Sequence, residues 1–128
     1  MKVLKFWKTI IVALIILYGS LTSGDNLNKF SFFTIPNIDK LIHFLFYFSL
    51  ALTFISALYK VTRLKKYDQY LITFVFSISY GLIMEVLQYY ITVTRSADIY
   101  DALANTLGCI IGIILFKYLK STQLIKYL

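Results

Sequence analysis

The apolar positions of this chain come in long unbroken runs, not in short alternating or strictly amphipathic patterns. Four such runs stand out, at Phe6–Ser23, Leu41–Tyr59, Tyr70–Val93 and Asp101–Leu119. At ~1.5 Å per residue each is long enough to cross a hydrocarbon core of about 30 Å, with some tilt for the third. Strands of a membrane barrel would be roughly 10 residues long and would alternate apolar with polar. These runs do neither, so they predict four transmembrane helices: an all-α integral membrane bundle forming a single domain over residues 1–128. The first run follows Lys2, Lys5 and Lys8 and has some character of a signal peptide, but Leu21-Thr22-Ser23-Gly24 is a poor cleavage site and an uncleaved first span is expected.

Composition agrees with this reading. Hydrophobic residues make up 59% of the 128, only 15% are charged, and the mean hydropathy is +0.75, leaving too little polar surface to clothe a small soluble domain. The net charge of +7 would suit nucleic acid if the cations formed one stripe. They flank the apolar runs instead, so the expected partners are membrane lipids, with no nucleic acid. Ten of the thirteen Lys and Arg lie before the first run, in the 60–69 connection or in the C-terminal tail. The 24–40 and 94–100 connections hold Lys29, Lys40 and Arg95. That alternation predicts both termini on the cytoplasmic side. The 24–40 connection, rich in phenylalanine, is expected to lie along the membrane interface.

Ionisable groups at depth are costly and require an explanation. Here they converge on one level, toward the outer face of the predicted topology. Asp39, Lys40 and His43 stand at the entrance of the second run, with Asp39, His43 and Tyr47 on one face if the helix begins before Leu41. Ser77, Gly81, Glu85, Gln88 and Thr92 share a face of the third run. Arg95 and Asp98 lie in the last connection, and Asp101, Asn105, Gly108 and Gly112 share a face of the fourth. The two glycines are a small-xxx-small pair that lets a neighbouring helix approach, so the polar face should point into the bundle. Glu85, well inside its span, calls for a partner such as Arg95, Lys40 or His43. Lys40 and Arg95 are candidates to hold an anionic headgroup or to neutralise Asp98 and Asp101. Glu85 and His43 are the candidates for a catalytic base. One histidine and no tight ligand spacing give no metal site and no cofactor. The single cysteine, Cys109, permits no disulfide within the chain.

The same polar positions carry a family resemblance. Asp39-Lys40-Leu41-Ile42-His43-Phe44 with Tyr47 resembles the D-K-x-x-H-F-x-x-Y signature of VanZ-like membrane proteins. Glu85-Val86-Leu87-Gln88 is similar to the family's E-x-x-Q. Arg95, Asp98, Asp101, Asn105, Gly108 and Gly112 fit its R-x-x-D-x-x-D-x-x-x-N-x-x-G-x-x-x-G stretch. The resemblance covers roughly residues 37 to 116. It implies a multi-pass protein of the bacterial cytoplasmic membrane, and a link to low-level resistance to teicoplanin, a glycopeptide carrying a lipid tail. Three functions remain open from the sequence. The polar residues form an outward-facing pocket for a lipid-linked cell-wall precursor, a lipoglycopeptide or another amphiphilic envelope molecule; or they serve a membrane hydrolase or transferase acting on lipid headgroups; or they only lock the helices together.

Overall fold

The computed structural model describes residues 3–21, 37–91 and 98–122. A 3₁₀ turn, Val3–Phe6, leads into α1 (Trp7–Leu21). Then follow α2 (Ile38–Val61), α3 (Lys66–Ile91) and α4 (Ile99–Leu119), and no strand occurs among the described residues. All four helical stretches are long and apolar enough to cross a membrane. The greasy 24–40 connection lies mostly outside the described residues.

The helices extend beyond the apolar runs at their polar starts. α2 begins at Ile38, so Asp39 and Lys40 are helical, and Asn37 before it takes a left-handed conformation with φ 62°. α3 begins at Lys66, bringing Tyr67, Asp68 and Gln69 into its first turn. Hydropathy marks where a helix is in hydrocarbon, whereas backbone hydrogen bonding continues into the interface. α4 begins at Ile99, where Asp98 caps it by accepting a 2.9 Å hydrogen bond from the Tyr100 backbone N–H.

α2 is the central helix, packing against each of the other three and most extensively against α4. The α2–α4 contact is close because Gly108 and Gly112 bring backbone to backbone. A Cβ on Gly108 would collide with the Phe44 carbonyl, and one on Gly112 would stand 2.7 Å from the Phe48 carbonyl. Below this seam Leu52, Ile55 and Phe116 form one buried cluster. On the other side Ile16, Tyr47, Leu50 and Met84 join α1, α2 and α3. The Phe54 and Phe76 rings stack at 4.2 Å, and the Tyr80 hydroxyl donates to the Ala13 carbonyl at 2.7 Å, tying α1 to α3.

The distribution of polarity is that of a protein in lipid. The outer surface carries exposed Ile10, Leu14, Val75, Ile83, Leu103 and Ile114, whereas His43, Thr73, Ser77, Glu85, Gln88 and Asn105 are buried. Apolar side chains gain little by leaving one hydrocarbon for another, so close packing and interhelical hydrogen bonds hold such a bundle.

This seam predicts a rank order of damage. Gly108→Ala must push backbone away from backbone, and overpacking of that kind costs about 1–3 kcal/mol or more. At Gly81 a new Cβ meets only the Tyr47 side chain, at 3.2 Å, which can give way by a few tenths of an ångström. Thermal melting in detergent is expected to place Gly108→Ala well below Gly81→Ala. The reverse order would contradict the seam.

Candidate functional site

The start of α2 meets the start of α4 in a cluster of charges. Three carboxylates surround the ammonium group of Lys40: Asp39 at 2.7 Å, Asp98 at 3.0 Å and Asp101 at 3.3 Å. An ammonium has three N–H donors, and here each faces a carboxylate. The anion-holding role expected of Lys40 is therefore filled from within the protein. Asp98 has a second task, since its other oxygen caps α4. The Tyr100 backbone N–H first, and Lys40 after it, hold the Asp98 carboxyl below its ordinary value.

One turn further along α2 lies His43, 6% exposed. Its Nδ1 is 3.0 Å from Asn105 Oδ1, one turn along α4 from Asp101. A carbonyl oxygen only accepts, so Nδ1 carries the ring proton in this arrangement. Nε2 faces Asp101 Oδ2 at 3.7 Å, beyond hydrogen-bond range. The spacing of Asp101, Asn105 and Gly108 explains why this pair can form: the face that lets the backbones approach is the face that carries the polar side chains.

The sequence grouped Glu85 and Gln88 with these residues, and among the described residues neither is hydrogen-bonded to Lys40 or His43. Both are buried, on the predicted α3 face with Ser77 and Gly81. Gln88 turns to α1, donating to the Ser20 carbonyl at 3.1 Å. Glu85 lies within electrostatic reach of Tyr47, as does Tyr80. The bonds of Lys40 and His43 go to carboxylates and an amide of α2 and α4, so neither residue is the partner sought for Glu85. Arg95 and Thr92 lie outside the described residues. The described polar interior comprises a charged mouth between α2 and α4 and a set on the inner face of α3, where the 1%-exposed Tyr47 ring lies against Gly81.

Two contacts had little signal in the sequence. Gln88 and Tyr80 reach main-chain carbonyls of α1, and every residue has such a carbonyl. The apposition of Cys109 and Ser77 across α4 and α3 is equally silent in composition. Among the described residues no group of three or more His, Cys, Asp or Glu is arranged to hold a metal ion.

Two measurements probe the mouth. Asparagine still caps a helix, so Asp98→Asn removes the charge pairing with Lys40 and leaves the cap. The folded Asp98 carboxyl titrates below the ordinary 3.8, so its stabilising contribution is complete above that value. It is lost as pH falls through the lowered one. The melting difference between wild type and Asp98→Asn should hold steady from neutral pH to about pH 5 and close only in stronger acid. A difference that vanished near pH 6 would contradict the pairing. For the second, a double-mutant cycle of His43→Ala and Asn105→Ala should return a coupling of about 0.5–1.5 kcal/mol. Strict additivity would mean that the 3.0 Å contact contributes nothing.

The two parts of this interior are built from the motif residues quoted for the sequence, apart from Arg95 beyond the described residues. No curated protein and no solved structure matches the chain. The family model described as VanZ/LLP1 matches residues 3–121, from the 3₁₀ turn through the end of α4. With nearly its whole length covered, this four-helix membrane protein belongs to the VanZ/LLP1 family.

Proposed function

We propose that the mouth between α2 and α4 binds the headgroup of an amphiphilic cell-envelope molecule from the outer side of the cytoplasmic membrane. The observation that carries this reading is the charge balance around Lys40. Three carboxylates face one ammonium, and that ammonium has no donor to spare. With His43 neutral these groups leave a surplus of two negative charges. A carboxylate has about four lone-pair sites, so the aspartates keep acceptor capacity for donors brought by a ligand. Such a mouth favours headgroups rich in hydroxyl or ammonium groups over a bare phosphate. Sugar-bearing lipids, lipid-linked cell-wall precursors and lipoglycopeptides such as teicoplanin present such donors. The outward orientation is supported by ten of the thirteen cations, which lie in sequence at or before the start of α1, around the α2–α3 connection and at or beyond the end of α4.

One observation favours a second reading, an enzyme acting on the headgroup. His43 is held by Asn105 through Nδ1 with Nε2 toward Asp101, and an imidazole positioned between an amide and a carboxylate suits a general acid or base. Under this reading wild-type protein would release or transfer a headgroup from a bound lipid, and His43→Gln would not.

The test is a melting screen of detergent-purified wild type and Asp101→Asn. The ligands are a glucosyl diacylglycerol, phosphatidylethanolamine, a lipid-linked cell-wall precursor and teicoplanin. A ligand at about 100 times its Kd adds roughly 2.7 kcal/mol to stability. The expected result is a clear rise in Tm for wild type with a donor-rich ligand and a much smaller rise for Asp101→Asn. If no ligand moves wild type and Asp101→Asn alone melts far lower, the cluster only locks the helices and the proposal fails.

A further inference from the structure

A narrow cleft of about 50 Å³ runs between α3 and α4 behind the charged mouth. Ile78, Gly81 and Leu82 line it from α3, and Ala102, Asn105 and Thr106 from α4. Each triplet has the spacing i, i+3, i+4, so the cleft follows the line between the two helices. Leu82 is exposed on the apolar outer surface, which gives the cleft a side facing lipid rather than water.

Its chemistry is nearly all alkyl. The Thr106 hydroxyl donates back to the Ala102 carbonyl at 2.8 Å and so makes no demand on the cleft. Asn105 is different. It is 3% exposed, its Oδ1 faces His43 Nδ1, and it lines the cleft, which leaves its Nδ2 as the amide donor to address a group bound there. An amide donor at that level is a ready partner for an acceptor atom, since a hydrogen bond made away from water is worth more than one made in it. Asn105 lies four residues beyond Asp101, about 6 Å deeper along α4. The cleft therefore combines apolar walls, one amide donor, and a position just beneath the headgroup site. That is the order of groups in a glycerolipid read inward: headgroup, ester carbonyl, alkyl chain.

We infer that this cleft seats the acyl-ester segment of the ligand, with Asn105 Nδ2 donating to an ester carbonyl. The first methylenes lie against Ile78, Gly81 and Leu82. The inference rests on the headgroup reading above and narrows its substrate class to ester-linked acyl amphiphiles that enter sideways from the membrane.

The experiment compares a dioleoyl glucosylglycerol with its dialkyl-ether counterpart, which has the same headgroup and chain length and no carbonyl. Binding to the purified full chain is read by melting titration. The ester lipid is expected to bind wild type roughly fivefold to tenfold more tightly, the effect of one lost hydrogen bond to a buried donor. Ala102→Leu, which fills the cleft, should bind both lipids weakly and alike. Equal affinity of wild type for the two lipids, with both lost in Asp101→Asn, would overturn the cleft assignment and leave the headgroup site standing. A water satisfying Asn105 gives that same result. Binding of neither lipid would overturn both. The wild-type comparison stands even if Ala102→Leu does not fold.

Discussion

The close approach of α2 and α4 governs the rest of the molecule. Two glycines one turn apart remove every side-chain atom between the α4 backbone and the carbonyls of Phe44 and Phe48. Helices in hydrocarbon gain association energy from contact and from hydrogen bonds, both of which fall off steeply with distance. Side chains at the mouth are short, so an added ångström of separation would part His43 from Asn105 and weaken the grip of Lys40 on Asp98 and Asp101. The glycines thus do their chemical work at one remove, by setting the distance at which polar groups on the next turns meet.

That distance organises the interior by type of partner. At the mouth, charged groups meet charged groups of the opposite sign and leave acceptor capacity toward the outside. Further along the bundle, buried side chains turn to main-chain carbonyls, as Gln88 does to Ser20 and Tyr80 to Ala13. Carbonyls within a helix retain a second lone pair, so they accept such bonds without breaking the helix. The first arrangement suits exchange with a ligand, because its members are partly exposed. The second suits permanence, because each bond ties a side chain to the main chain of another helix.

Much of this was legible in the sequence, and its failures are instructive. Four uninterrupted apolar runs gave the four helices, because no other fold of so short a chain hides such runs. Gly108 and Gly112 identified the tight face of α4, and the spacing of Asp39, His43 and Tyr47 identified one face of α2. The starts of α2 and α3 were drawn three and four residues late, since polar residues such as Lys40 and Lys66 continue a helix into the interface without raising hydropathy. Glu85 and Gln88 were correctly placed on a buried face, and the reach of Gln88 to the Ser20 carbonyl of α1 could not be read from that face alone. Periodicity reveals which side of a helix points inward and is silent on which helix it meets. For Lys40 the sequence left two roles open, holding an anion or neutralising Asp98 and Asp101, because it counts charges without showing which of them converge; the structure pairs Lys40 with both aspartates and with Asp39.

The composition of the Lys40 cluster has a bearing on how the protein is made. α2 leaves the ribosome and reaches the membrane well before α4 exists. Until then Lys40 has only Asp39, the adjacent residue, which it contacts at 2.7 Å without help from any other helix. That local pair makes the leading end of α2 close to neutral, which lowers the cost of bringing it into the bilayer. Asp98 and Asp101 arrive later with α4 and tip the balance to negative only once that end is back in the polar interface. A single lysine with an acidic neighbour therefore serves first as a passport for insertion and afterwards as the anchor on which the last helix docks.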